Sequence, residues 1–434
     1  MGDKVVKVGL LGLGTVGGGV ARLLMEKRKQ LSAYLGVELE LARAVDLEPS
    51  RAAELGLEPG VYSDDAWSVL EDRDIDIVVE TVGGLEPARA MVLTALNKGK
   101  GVVTANKALL ASHGVEIFHT ARQNQVGIAF EASVGGGIPL VRSMRDSLAA
   151  NRITSCLGIL NGTCNFILSR MTAEGAPFSE VLAQAQAKGY AEADPTFDVE
   201  GTDTAHKLAI VASLATGAQP KLDHIPTEGI TKITPLDIQF AGEFGFKIKL
   251  LAVLNNQGAK VEARVHPALV PHDHLLASVE GPFNALHVNG DWVGQVLLYG
   301  QGAGRRPTAS AVVGDVLELA RDIAAGVPGR VPPLGTEANG GRLLELASLD
   351  DAVCQYYCRF AALDQPGVLA AVARELGEFN ISIEKVTQKG RQEAGPVPIV
   401  MLTHEAREAN LRSALKKIDA LPVIVEPTVV IRMA

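Results

Sequence analysis

The stretch Gly9-Leu10-Leu11-Gly12-Leu13-Gly14-Thr15-Val16-Gly17 decides how the first part of the chain folds. It closes an apolar run, Val5–Leu11, that reads as a buried strand, and it opens Val16–Glu26, whose apolar residues recur at helical spacing. Between a strand and a helix, G-x-G-x-x-G has a physical meaning. Gly12 permits the tight turn, Gly14 lets backbone approach a pyrophosphate, and Gly17 permits close helix–strand packing. The helix N-terminus, at Thr15 and Val16, adds unpaired N–H groups and a partial positive charge.

Outward from this loop, Val37–Val45, Ile75–Glu80, Gly101–Thr104 and Gly127–Glu131 read as further strands separated by helical patterns, and Ile75–Glu80 and Gly101–Thr104 are short and rich in Val and Ile. That texture predicts an α/β class with a Rossmann-type doubly wound parallel sheet over residues 1–132, to which 305–328 return. Residues 133–304 mix amphipathic segments (Ile138–Ala150, Phe178–Lys188, Asp203–Leu214) with strand-like Phe246–Leu254 and Val261–Val265, which predicts an α+β domain. Gly326–Gly341 is dense in Gly and Pro and marks a boundary, with 329–349 as linker. Residues 350–434 then read strand, helix, strand, strand, helix, strand. Tyr356–Leu363 enters the turn Asp364-Gln365-Pro366-Gly367, followed by the helix Val368–Phe379 and the strand Ile381–Gln388.

Bulk properties exclude several classes. The 434 residues carry a net charge of −9 and no long basic run, so nucleic acid is not an expected partner. Hydrophobic residues at 47% and charged residues at 21% describe a chain with a substantial core. Glycines interrupt the first apolar stretch, no small-residue cleavage site follows, and Val6 stands where Met1-Gly2 myristoylation needs Ser or Thr. No apolar run reaches the roughly 18 residues of a membrane helix. Cys156, Cys164, Cys354 and Cys358 lack both disulfide-framework and zinc spacing, which fits a reducing cytoplasm.

Asp46, at the end of the second strand, is placed either to accept from a ribose 2′-hydroxyl or simply to turn the chain. Arg43 and Arg51 lie near enough in sequence to hold a 2′-phosphate, so NAD and NADP both stay open. Thr104-Ala105-Asn106-Lys107 closes another strand at its C-terminal end, where ligands bind in open α/β sheets. Gly189–Asp203 contains Glu192, Asp194, Asp198, Glu200 and Asp203, with Lys207 four residues further on. These acids read equally as a solvated loop or as a site for a substrate ammonium beside a proton-moving lysine.

The chain resembles homoserine dehydrogenases that carry a C-terminal ACT domain. The resemblance rests on Val102–Lys107, Glu131-Ala132-Ser133-Val134-Gly135-Gly136-Gly137-Ile138-Pro139, Gly158–Thr163, Gly189–Lys207, Gly302–Ser310, Asp364–Leu369 and Asn380–Ile383. It implies NAD- or NADP-dependent interconversion of L-homoserine and L-aspartate 4-semialdehyde on the way to threonine and methionine. It further implies Lys207 as proton carrier held by Asp203, with Lys107 as its rival and a contact to cofactor and substrate. Glu192 and Asp198 would bind the substrate ammonium, with Gly189 and Tyr190 beside it. Cofactor contacts are implied for Thr81, Thr104, Gly189, Glu192 and Gly304. A monovalent cation, sodium, would sit at Glu131, Val134, Gly136 and Ile138. L-threonine is the implied effector, at Asp364, Gly367, Asn380 and Ile381, in a homodimer or homotetramer. Two positions depart from the family. Val45 stands where many members carry Arg, which tilts the cofactor toward NAD or dual use, and Cys164 stands where Thr is frequent. No aspartate kinase domain is expected ahead of the first strand.

Overall fold

The computed structural model describes residues 4–258, 260–336, 342–388 and 396–434. Residues 337–341 of the expected linker, and Met1-Gly2, lie outside the described residues. In chain order the principal elements begin with β1 (Val5–Leu11), α1 (Thr15–Glu26), β2 (Glu38–Val45), β3 (Tyr62–Ser63), β4 (Ile77–Glu80), β5 (Gly101–Thr104), α2 (Lys107–Gln123) and β6 (Ile128–Ala129). Next come β7 (Ile153–Ile159), α3 (Gly162–Glu174), α4 (Thr196–Val199), α5 (Thr202–Thr216), α6 (Pro235–Glu243), β8 (Phe246–Asn256) and β9 (Val261–Pro271). They end with β10 (Phe283–Gly290), β11 (Gly294–Gln301), α7 (Arg305–Ala324), β12 (Tyr356–Leu363), α8 (Val368–Glu378), β13 (Ile383–Gln388), β14 (Pro396–Thr403), α9 (Glu408–Ile418) and β15 (Ile424–Met433). The chain forms two compact units, one from residues 1–160, 205–225 and 283–345, the other from 161–204, 226–282 and 346–434.

In the first unit, six parallel strands run in the order β3-β2-β1-β4-β5-β6, the Rossmann order. β4 and β5 are buried along their whole length, which is why they read as unbroken apolar runs. Their register matters for function. Leu11 pairs with Val45 and with Glu80, and Glu80 pairs with Thr104. Four strands therefore end at one level, and the glycine loop, Asp46, Thr81 and Ala105–Lys107 all leave the sheet at the same edge. α7 packs Ala309, Val312, Val316 and Leu319 into the core formed by Val6, Val8, Val20 and Val79. Gly19 lets α1 approach it, since a Cβ there would lie 3.1 Å from the Ala309 Cβ. β11, β10 and β7 form a separate antiparallel set in this unit.

Two expected elements are shorter than their patterns. The strand over Gly127–Glu131 is only Ile128–Ala129, because Glu131–Ser133 turns into a 3₁₀ helix. The amphipathic segment Ile138–Ala150 yields a single α-turn, Leu140–Arg142, and then a π-turn over Ser143–Ser147. There the Leu148 amide reaches back five residues to the Ser143 carbonyl at 2.9 Å.

In the second unit, β8 and β9 form a long antiparallel pair. The C-terminal segment has the β-α-β-β-α-β order, with sheet order β15-β12-β14-β13, all antiparallel. Tyr356, Phe360, Val372, Leu376, Leu411 and Ile418 form its core between sheet and helices. This sheet does not stand alone. β15 also pairs with β9 in parallel, through Ala268–Arg432 and Leu269–Met433.

A buried ionic contact secures the join. Asp237 closes a capping box with Thr234 at the start of α6 and is fully buried. It also accepts from Arg359 Nε at 2.6 Å and from the Tyr357 hydroxyl at 3.1 Å, both on β12. Asp237→Ala removes the carboxylate half of the capping box and leaves a nearly buried guanidinium unpaired, so it should destabilise the chain by about 3–5 kcal/mol. Denaturant midpoints of the variant and the parent check this. Among the described residues no helix is long and apolar enough to cross a membrane.

Candidate active site

The glycine loop takes the geometry its composition requires. Gly12 has φ of +92°, and a Cβ on Gly17 would lie 1.9 Å from the Gly12 carbonyl oxygen. At Gly14 a Cβ would meet nothing within 4 Å, so its side is open to a ligand. Gly14 is the N-cap of α1 and supplies no side-chain cap, which leaves the Thr15 and Val16 end of the helix to an anion. A cavity of about 250 Å³ here is lined by Leu13, Gly14, Thr15, Arg22, Arg51 and Arg305. Glu54 lines it too, and Arg51 is already paired with Asp46 and Glu48, so Arg22 and Arg305 are the cations that could meet a dinucleotide phosphate here. Gly304, the N-cap of α7, lies at the same end as Arg305.

Asp46 pins this loop. Its carboxylate accepts from the Leu13 amide at 2.6 Å, the Glu48 amide at 2.9 Å and Arg51 Nη1 at 3.2 Å. Burial opposes its ionisation, but those two amides and the guanidinium outweigh burial and hold Asp46 below the ordinary aspartate value. Arg43 points elsewhere, donating to the Gly60 carbonyl at 2.7 Å. Of the two candidate arginines, only Arg51 lines the cavity.

Lys107 is set by a chain of fixed groups. Glu80, fully buried, accepts from the Val82 and Gly83 amides at 2.9 and 3.0 Å and from the Thr104 hydroxyl at 2.6 Å. Thr104 in turn accepts from the Asn106 amide at 3.0 Å, and Asn106 caps α2 by accepting from Leu109 N at 3.0 Å. Lys107 is thus the first residue of a helix whose start is rigid. Thr81 donates to the Leu11 and Gly12 carbonyls at 2.9 and 3.0 Å and so ties β4 to the glycine loop. Glu80, which holds the loop after β4, was not among the residues that the sequence reading singled out. A lone acid at the end of the apolar run Ile77–Val79 was its signal.

Around the candidate cation loop, the Glu131 carboxylate accepts from the Val141 and Arg142 amides at 2.6 and 3.0 Å. Burial pushes Glu131 above the usual glutamate range in spite of those amides and Arg142. Its own amide donates to Asp315 at 2.8 Å, an acid that burial and Glu131 push up to about 8. Gly135 and Gly136 have φ of +72° and +55°, and Gly136 packs on the Gly302 carbonyl, where a Cβ would lie at 2.3 Å. Val134 and Ile138 are buried. Among the described residues no group of three or more His, Cys, Asp or Glu side chains is arranged to hold a metal ion.

In the second unit the acidic segment is ordered by α3. Asn161, its N-cap, donates to Asp198 at 2.7 Å and to Asp203 at 2.8 Å, while its carbonyl oxygen accepts from Cys164 N at 2.8 Å. Thr163 donates to the Tyr190 carbonyl at 2.6 Å, and the Tyr190 ring lies 4.9 Å from that of Phe166. Gly189, with φ of +72°, turns the chain out of the preceding helix. Gly189, Tyr190 and Glu192 are exposed, whereas Asp203 is buried. α5 carries Asp203 in its first turn and Lys207 one turn on. In the first unit, Lys207 Nζ donates to the Leu160 carbonyl at 2.6 Å.

The tail residues are not brought together. Asp364 and Gly367 lie before α8, whereas Asn380 (φ +57°) and the buried Ile381 follow it. Eleven helical residues separate the pairs by about 16 Å.

The glycine geometry separates two kinds of damage. Gly17→Ala should lower the melting temperature, because the new methyl meets backbone. Gly14→Ala should leave it unchanged yet weaken dinucleotide binding at least about tenfold, or about 1.4 kcal/mol. Thermal melts paired with titration of reduced-nicotinamide fluorescence check both.

Comparison with known proteins is consistent along the chain. Residues 12–131 match the family model described as homoserine dehydrogenase, NAD binding domain; 139–317 match homoserine dehydrogenase; 356–423 match the ACT domain. A homoserine dehydrogenase of Neisseria gonorrhoeae is 44% identical over 99% of both chains. The crystal structure of a homoserine dehydrogenase from Thiobacillus denitrificans superposes with a TM-score of 0.93 at 43% identity, over 99% of this chain and 98% of that one. A hyperthermophilic archaeal homoserine dehydrogenase in complex with NADPH superposes with a TM-score of 0.62 at 28% identity, over 73% of this chain and 97% of that one. With the six-stranded Rossmann sheet and the C-terminal ACT fold, these matches establish that the chain belongs to the homoserine dehydrogenase family of NAD(P)-dependent oxidoreductases.

Proposed function

We propose that the chain interconverts L-homoserine and L-aspartate 4-semialdehyde with Lys207 as proton carrier, on the way to threonine and methionine, under feedback by L-threonine through the C-terminal domain. The observation that carries the catalytic part is the one-turn spacing of Asp203 and Lys207 on α5, with the amine directed onto the Leu160 carbonyl. A bound nicotinamide would supply the acceptor for the hydride that leaves the alcohol carbon. Lys207 takes the hydroxyl proton, for which it must be uncharged at the moment of transfer, and returns it in the reverse reaction. Asp203 orients it. Asp198 and Glu192 bind the substrate ammonium beside Gly189 and Tyr190, and Lys107, at the head of α2, contacts cofactor and substrate.

Arg51 and its neighbours favour acceptance of both NAD and NADP, since Asp46 is already neutralised by Arg51. A monovalent cation, sodium, would be held at Glu131, Val134, Gly136 and Ile138 mostly by main-chain oxygens, since the Glu131 carboxylate already accepts from two amides. We keep the division read from the sequence: 1–132 with 305–328 for nucleotide, 133–304 for catalysis and dimerisation, 329–349 as linker, and 350–434 for regulation; the matches at 12–131 and 356–423 support its first and last parts. Two copies of the chain, as homodimer or homotetramer, suit an effector pocket whose halves lie at opposite ends of α8. Four free cysteines suit the cytoplasm.

Reduced-nicotinamide absorbance with L-homoserine should show turnover with NAD+ and with NADP+. Lys207→Met should lower kcat at least about 100-fold with the cofactor KM unchanged. If Lys107→Met does so instead, the proton belongs to Lys107. No turnover by folded protein with sodium present refutes the reading.

L-threonine should inhibit, and Asp364→Ala should raise the inhibitory concentration about tenfold without changing uninhibited turnover. A point variant is the right tool here, because deleting residues 346–434 would strip β9 of its partner β15. Equal inhibition of variant and parent would remove the effector from this corner.

A further inference from the structure

We propose that Asn161 is a positioning residue, whose side-chain amide holds Asp198 and Asp203 in one arrangement and so orders the substrate acid and the lysine-orienting acid together. This rests on the roles given above to those two aspartates. Every hydrogen-bonding group of the Asn161 side chain is used. One nitrogen donates to Asp198 Oδ1 at 2.7 Å and to Asp203 Oδ2 at 2.8 Å, and the oxygen accepts from the Cys164 amide at 2.8 Å. The reversed amide is excluded, since it would set its oxygen against two carboxylates and its nitrogen against an N–H. Asn161 is 4% exposed, so water does not replace either bond.

The partners come from three separate stretches of chain. Asn161 precedes α3, Asp198 lies in the four-residue α4, and Asp203 begins α5. Asp198 is held a second time, through its carbonyl, which accepts from the Cys164 thiol at 3.2 Å. Two carboxylates drawn to one nitrogen repel each other, and the shared donor offsets that repulsion. Without it, Asp198 and Asp203 are expected to move apart. One of them faces the substrate ammonium and the other sits one turn from Lys207.

A helix cap alone does not explain Asn. Ser, Thr and Asp cap as well, but none of them donates two hydrogen bonds from one nitrogen. That difference makes the test. Asn161→Ser keeps a cap and loses the fork. It should raise the KM for L-homoserine at least about tenfold, leave the KM for NAD(P)+ unchanged, and keep the melting temperature close to the parent's. Asn161→Asp keeps the cap and adds a third negative charge, so in it the rise of kcat/KM with pH should move to higher pH. A parental homoserine KM in Asn161→Ser overturns the proposal. So does a proportional loss of every kinetic constant with loss of folded protein, which marks a purely structural residue.

Asp198→Asn and Asp203→Asn, measured alongside, separate this inference from the reading beneath it. If both retain parental turnover and homoserine KM, the roles of the acids fail and the proposal falls with them. If both are impaired while Asn161→Ser is not, the positioning role alone fails.

Discussion

A charge withdrawn from water must find donors, and that constraint shapes the functional edge of this protein. Isolated burial of a carboxylate costs several kcal/mol, so each buried acid obliges some other segment to present N–H groups to it. Three such acids stand where strands of the parallel sheet end. Asp46 draws the Leu13 amide of the glycine loop, Glu80 draws Val82, Gly83 and Thr104, and Glu131 draws Val141 and Arg142. The loops are therefore stapled to the sheet by acids that the sheet itself carries. Loops that would otherwise be mobile become surfaces on which a cofactor's reactive end can be placed reproducibly.

The same device operates in the second unit with an amide in place of the backbone. Asn161 serves Asp198 and Asp203, and Asp237 is served by Arg359 and Tyr357. The donors differ in consequence. A neutral amide donor brings no charge of its own to Asp198 and Asp203. Arg359 cancels the charge of Asp237, which suits a residue that only joins elements.

Legibility in the sequence followed the range of the interaction. The glycine loop, the alternating strands and the β-α-β-β-α-β tail rest on local periodicity and turn chemistry, and their elements are found within a few residues of expectation. Ile138–Ala150 did not form one α-helix: its bonding widens to a π-turn over Ser143–Ser147, a change that apolar spacing does not announce. Asn161 was legible only as part of the stretch Gly158–Thr163. Its fork was not, since its partners lie 37 and 42 residues away and no spacing rule links them. Glu80 was visible only as an acid out of place in an apolar run.

The tail illustrates a limit of reading domains as beads. By sequence, 350–434 is a module behind a linker, yet its last strand completes a sheet begun by β9. Arg432 on that strand pairs with Glu408 and with Glu228 at 2.9 Å. Beyond Glu228, Ile230 N donates to the Val199 carbonyl at 2.8 Å, and Gly229 packs so closely on Val199 and Glu200 that a Cβ would lie 2.3 Å from the Val199 oxygen. Val199 follows Asp198 directly. An effector influences catalysis only to the extent that it binds two states unequally. Contacts run without a gap from β15 through Glu228 and Gly229 to α4. Gly229 has no room for a side chain there, so the tail's last strand and the backbone next to Asp198 are joined by close contacts and not by a linker.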